Sequence, residues 1–276
     1  KTIPRAATTV IRRNQGRKGK ELGTAGAEGD KVHLYTAMNE SDEAQYVANT
    51  ILEHYRQGRR WRDHAVLYRM NAQSYQLELA FKRTGIPYRV IGGTRFFDRA
   101  EVKDMLAYLC VISNPQDDLR LSRIINVPAR GIGATTVERA RAIAAQEGVS
   151  LWQVISQPEG YPALQKAGAQ LGAFTALIRD LQAMSGMDLG AFYEIVMERT
   201  GYAAMLQVKP DVENRTRLEN IRELLTSIKG YMENTDSPSL AGFLDEIALY
   251  TDLDNHDPNE DAVVMMTMHS AKGLEF

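Results

Sequence analysis

Near its C-terminal end the sequence reads D-A-V-V-M-M-T-M-H-S-A-K-G-L-E-F. The continuous apolar run Val263 to Met266 suits a buried strand, and it leads directly into Thr267, His269, Ser270, Lys272, Gly273 and Glu275. Hydroxyls, an imidazole, an ammonium and a carboxylate therefore gather where a strand would end, and open parallel sheets bind ligands at that edge. From residue chemistry alone the segment is either a ligand-contacting loop or an ordinary strand-to-helix connection. It is not a P-loop, whose order is G-x-x-x-x-G-K-[ST]: here Lys272 precedes Gly273, and Leu274 stands where a metal-binding hydroxyl is required. Gly-Lys followed by Ser or Thr occurs nowhere else in the chain, so Q-G-R-K-G-K-E-L near the start reads as a basic turn.

A second candidate is N-V-P-A-R-G-I-G-A-T-T-V-E-R-A. Gly131-Ile132-Gly133 allows a tight turn with close backbone approach, and a helix starting beside Thr135 and Thr136 would present free N–H groups to an anion. Arg130 adds a charge that can reach phosphate. The pattern suits gripping a DNA backbone without reading bases, or simply a turn between two core helices.

In G-G-T-R-F-F-D-R-A-E-V-K-D, glycines meet two aromatics and alternating charge. Phe96 and Phe97 are core residues or base-stacking platforms, Arg95, Arg99 and Lys103 are candidate phosphate contacts, and the glycines suit a hinge. The acidic stretch from Asp252 fails as an EF-hand loop, because position six is Asp257 rather than Gly and position twelve is Val263 rather than Glu. The five histidines lack metal-ligand spacing, and Cys110 sits among apolar residues as a packed thiol.

The elements that would position these groups follow from periodicity. Strands are expected at K-V-H-L-Y-T-A, H-A-V-L-Y-R-M and Y-R-V-I-G-G, with helices between them starting at Asn39-Glu-Ser-Asp and in S-Y-Q-L-E-L-A-F-K-R-T, the latter ended by Gly85. That alternation predicts a parallel sheet covered by helices. Helical spacing dominates from Asp98 to Tyr250, and D-A-V-V-M-M-T-M-H-S returns to the sheet. The expected fold is α/β, a partial RecA-like parallel sheet interrupted by a large, mainly α-helical inserted domain.

Of the 276 residues, 44% are hydrophobic and 25% charged, which excludes a disordered chain. No run is long enough to span a bilayer and no secretory signal opens the chain, so the protein reads as cytosolic. The net charge of −2 hides an asymmetry: Lys1 to Lys20 is basic without a carboxylate, so the whole-chain sum does not exclude DNA.

The closing V-V-M-M-T-M-H-S-A-K-G-L-E-F resembles the T-x-H-x-A-K-G-L-E-F motif of UvrD/Rep/PcrA-type superfamily-one DNA helicases. N-E-S-D-E-A-Q-Y-V-A-N-T-I, A-V-L-Y-R-M-N-A-Q-S, I-P-Y-R-V-I-G-G-T-R-F-F-D-R-A-E-V-K-D-M-L-A-Y-L and I-I-N-V-P-A-R-G-I-G-A-T-T-V-E-R-A resemble family segments in the same order. The resemblance spans the chain, more weakly between Leu151 and Asp261. It implies that residues 1–91 and 261–276 belong to the second motor domain (2A), and 92–260 to its inserted domain (2B). It further implies a fragment of a bacterial, nucleoid-associated ATP-dependent 3′–5′ helicase serving DNA repair or replication. The fragment would be inactive alone, because the Walker A and Asp-Glu motifs belong to the first motor domain.

By the same resemblance, Gly273 and Glu275 face ATP, which binds with Mg2+ in the intact enzyme but not to this chain alone. Thr267, His269, Ser270 and Lys272 would lie near single-stranded DNA and couple it to the nucleotide. Arg130, Gly131, Ile132, Gly133, Thr135 and Thr136 would hold duplex DNA, with Arg99 and Lys103 near the hinge and duplex. Arg69 carries no catalytic role, since L-Y-R is not the family's ATP-facing Tyr-Arg motif. Two other readings stay open: a non-catalytic regulatory or protein-interaction module, and a helicase–nuclease subunit.

Overall fold

The structure, a computed structural model, describes residues 2–12, 29–252, 261–272 and 274. The basic turn Q-G-R-K-G-K-E-L, the acidic Asp254, Asp257 and Glu260, and both Gly273 and Glu275 lie outside the described residues. The chain divides into two compact units, Lys1–Glu43 and Ala44–Phe276.

The first unit holds helix α1 (Thr2–Ile11) and an extended stretch that is not the expected strand. In K-V-H-L-Y-T-A, Leu34 is 93% exposed, and the chain is drawn instead into the start of helix α2 (Glu40–Arg56). The Tyr35 hydroxyl donates to the Asp42 carboxylate at 3.0 Å, the Met38 N–H donates to it at 2.9 Å, and the Asp42 N–H donates to the Asn39 side chain at 2.8 Å. Local helix capping prevails here over β-branched strand preference, which is weak without a partner ladder.

The larger unit contains the sheet. Strand β1 (Ala65–Tyr68) leads through helix α3 (Ser74–Thr84) to strand β2 (Tyr88–Ile91). Gly85 ends α3 in the left-handed region at φ +71°, which glycine enters without Cβ strain. Strand β3 (Val263–Thr267) inserts between the other two, giving the parallel order β1-β3-β2 with Ala65 opposite Val264 and Tyr88 opposite Val263. A central parallel strand is covered on both faces, which explains its unbroken apolar run. Ala48 and Ile51 of α2, Phe81 of α3, and Val263 and Met265 of β3 share one core.

Between β2 and β3 run nine α-helices among the described residues: α4 (Ala100–Ser113), α5 (Asp118–Ile124), α6 (Ala134–Glu147), α7 (Leu151–Ile155), α8 (Gly168–Met184), α9 (Leu189–Arg199), α10 (Tyr202–Val208), α11 (Val212–Glu233) and α12 (Leu240–Asp252). Helix α4 is the axis of this block, with Val102, Met105, Tyr108, Leu109 and Val111 fully buried. Asp117, Ser150, Asp188 and Asp211 cap α5, α7, α9 and α11 by accepting backbone N–H bonds. The fold is thus α/β with a large helical insertion. Burial pushes the Cys110 thiol pKa up, as suits an inert packed thiol.

Candidate functional site

Because all three strands are parallel, their carboxyl ends bring Arg69, Gly92 and the segment after Thr267 to one edge. The turn after β3 is held by its own residues. The Ser270 N–H donates to the Thr267 hydroxyl at 3.1 Å, the two hydroxyls meet at 3.0 Å, and the Ala271 N–H donates to the Thr267 carbonyl at 3.0 Å. Ser270 sits directly over Gly92: a Cβ there would lie 2.5 Å from the Ser270 Oγ, and Gly92 has φ +70°. Glycine is required at this point on both counts. The Arg69 guanidinium reaches His269 Nδ1 at 3.1 Å, while Lys272 is exposed. The edge therefore combines two cations with hydroxyls on a braced turn, an arrangement suited to anions.

The Gly131-Ile132-Gly133 turn lies in the helical block, between α5 and α6. Asn126 organises it: its side-chain oxygen accepts from the Arg130 N–H at 2.7 Å and the Ile132 N–H at 3.1 Å. Ile132 is buried and anchors the turn, while Gly131, Gly133, Ala134 and Thr135 are exposed and Thr136 half-buried. Gly133 is the N-cap of α6; its carbonyl accepts from the Thr136 N–H at 2.9 Å, but it offers no capping side chain to the N–H groups of the exposed Ala134 and Thr135.

Arg130 points the other way. Its guanidinium donates to the Tyr108 hydroxyl at 2.7 Å, the Thr200 carbonyl at 2.9 Å and the Pro128 carbonyl at 3.0 Å, and lies over the Tyr108 and Phe174 rings. It braces the turn from behind rather than projecting beside it.

Arg99 is likewise turned inward. It is 6% exposed and donates to Asn220 Oδ1 at 2.9 Å, the Ser74 hydroxyl at 2.7 Å and the Asn71 carbonyl at 3.0 Å. In this arrangement its guanidinium ties the sheet to the helical block at the expected hinge and does not face solvent. Opposite it, Glu78 is 2% exposed and accepts from Ser74, Tyr88 and the Phe96 N–H. Burial pushes the Glu78 carboxyl pKa up, against the pull of the Ser74 hydroxyl and the Arg99 charge. Phe96 and Phe97 are core residues packed on Tyr75. Lys103 is half-exposed and paired with Asp98 at 2.7 Å.

Comparison with known proteins identifies the family. The UvrD-like helicase C-terminal domain family matches residues 1–276. The chain belongs to this family. It is 42% identical over 279 aligned residues to the ATP-dependent DNA helicase PcrA of Staphylococcus aureus (strain Mu50), and equally to the protein of that name from Staphylococcus epidermidis. Each alignment covers 100% of this chain and 38% of the relative, so the chain spans well under half the length of the curated relatives it matches. Among the described residues no helix is long and apolar enough to cross a membrane, and no cluster of three metal-ligating side chains occurs.

Sequence reasoning missed Glu78, Asn126 and the pairing of Gly92 with Ser270. The Gly92-Gly93 doublet after a strand was a visible signal of close approach. Nothing in the sequence marks Glu78, whose partners converge only through the fold.

Proposed function

We propose that this chain is the 2A motor domain, residues 1–91 and 261–276, with its inserted 2B domain, residues 92–260, of an ATP-dependent 3′–5′ DNA helicase. The observation that carries the DNA-binding part is the exposed, uncapped start of α6 behind Gly131 and Gly133. Its N–H groups suit a phosphate of the duplex, with Thr135 and Thr136 as hydroxyl donors and Ile132 as the buried anchor. Arg130 acts by bracing this turn, Arg99 by joining the two parts of the chain, and Lys103 remains a candidate phosphate contact.

At the sheet edge, Thr267, His269, Ser270 and Lys272 form the segment that touches single-stranded DNA, and Gly273 and Glu275 reach the nucleotide. ATP with Mg2+ binds between this domain and a first motor domain, which supplies the phosphate-gripping chemistry. Closure of the two domains on ATP would give bound and free states different affinities for the strand, the requirement for stepping. This chain alone contributes binding surfaces and no hydrolysis.

The test is fluorescence anisotropy of the chain on a 3′-tailed duplex across a salt series, beside Gly133→Ala. A Cβ at Gly133 meets nothing within 4 Å, and the residue lies at φ −71°, so the variant should fold normally. Affinity that falls steeply with salt and is several-fold weaker in the variant supports the grip. Equal affinities for wild type and variant would sink it and leave the protein-interaction reading.

A further inference from the structure

The amino edge of the sheet, opposite the edge described above, carries a basic and aromatic corner. Helix α2 ends at Arg56, and the chain reverses through Gly58 at φ +95°. It then passes Arg59 and Arg60 into the short 3-10 turn Trp61–Asp63 that precedes β1. This reversal lays Trp61 flat on Tyr55, with ring centroids 3.8 Å apart and planes 6° from parallel. Asp261, just before β3, holds the turn by accepting from the Arg62 N–H at 2.8 Å and Nε at 3.1 Å and from the Trp61 N–H at 3.3 Å.

The arginines divide into two groups. Arg62 is committed to Asp261, and Arg56 lies 3.9 Å from Glu53. Arg59 and Arg60 are exposed and pair with no carboxylate among the described residues; Asp63 accepts only the Arg60 backbone N–H, at 2.8 Å. Together with Tyr55, which is 46% exposed, they line an open pocket of about 630 Å³.

We propose that this corner is a single-stranded nucleic-acid site, in which Arg59 and Arg60 hold successive phosphates and an unpaired base stacks on Tyr55, extending the Tyr55–Trp61 pair. The stacked rings decide between occupants. An acidic peptide would use the arginines but gain nothing from an aromatic face, and a duplex keeps its bases stacked on each other. The site is separate from the duplex grip at α6 and does not depend on it.

The test uses this chain with Trp152→Phe, so that Trp61 is the only tryptophan, and the probes dT16 and poly-glutamate. The expected result is quenching of Trp61 by dT16, with affinity about tenfold weaker in Tyr55→Ala, retained in Tyr55→Phe, and weaker and less salt-dependent in Arg59→Gln/Arg60→Gln. Gly133→Ala should leave dT16 binding unchanged, which separates this site from the duplex reading. Unchanged dT16 affinity in the Tyr55 and arginine variants overturns the proposal. So does poly-glutamate binding as tightly as dT16 with no effect of Tyr55→Ala, since that marks a site for acidic polymers without base stacking.

Discussion

The two glycines of the Gly-Ile-Gly turn do different work. Gly131 has φ +74°, a conformation that costs other residues about 1–2 kcal/mol, so Gly131→Ala should lower unfolding stability by about that amount in urea titrations. Gly133→Ala should lower the urea midpoint less than Gly131→Ala, through the weaker N-cap alone, and should lose duplex affinity. Behind the turn, burial pushes the Tyr108 hydroxyl pKa up to about 12, although the Arg130 charge pulls it back. A tyrosine raised in the folded state contributes stability that is complete below its ordinary value of 10.0 and lost as pH rises through about 12. The stability difference between wild type and Tyr108→Phe should therefore shrink across that window in thermal melts. The turn itself was legible from spacing. The direction of Arg130 was not, because it is set by Tyr108 and Thr200, which only the fold brings near.

Between elements, two contacts join what the sequence separates. Ser270 over Gly92 locks the turn after β3 against the end of β2. Gly92→Ala should destabilise the chain, and adding Ser270→Gly should recover only part of the loss, because the steric clash disappears while the strain at φ +70° remains. A double-mutant cycle measured by urea unfolding gives that partition. Arg99 is the second join: removing it takes an N–H donor from the buried Asn220 and Ser74 oxygens and from the Asn71 carbonyl, so Arg99→Ala should lower unfolding stability by about 1–3 kcal/mol in urea titrations. Helix and strand positions here were readable because apolar spacing reports on each element locally. K-V-H-L-Y-T-A failed as a strand for the complementary reason: β preference needs a ladder, and Asn39 and Asp42 supplied a nearer use for its backbone and side chains.

For the molecule as a whole, the return of the chain to its first sheet was legible in the apolar run Val263 to Met266, but its central position was not, since composition does not order parallel strands. The outer strands have consequences for behaviour in solution. Leu67 on β1 is 45% exposed, so apolar surface is available for association at the sheet edge. Sedimentation velocity should show concentration-dependent self-association, and Leu67→Lys should reduce it. Strand order also has a temporal consequence. β1 and β2 do not pair with each other and must wait for β3, which leaves the ribosome only after the entire helical block. During synthesis the helices can settle through local contacts while the two early strands remain without a ladder, so this sheet is the last part of the larger unit to form.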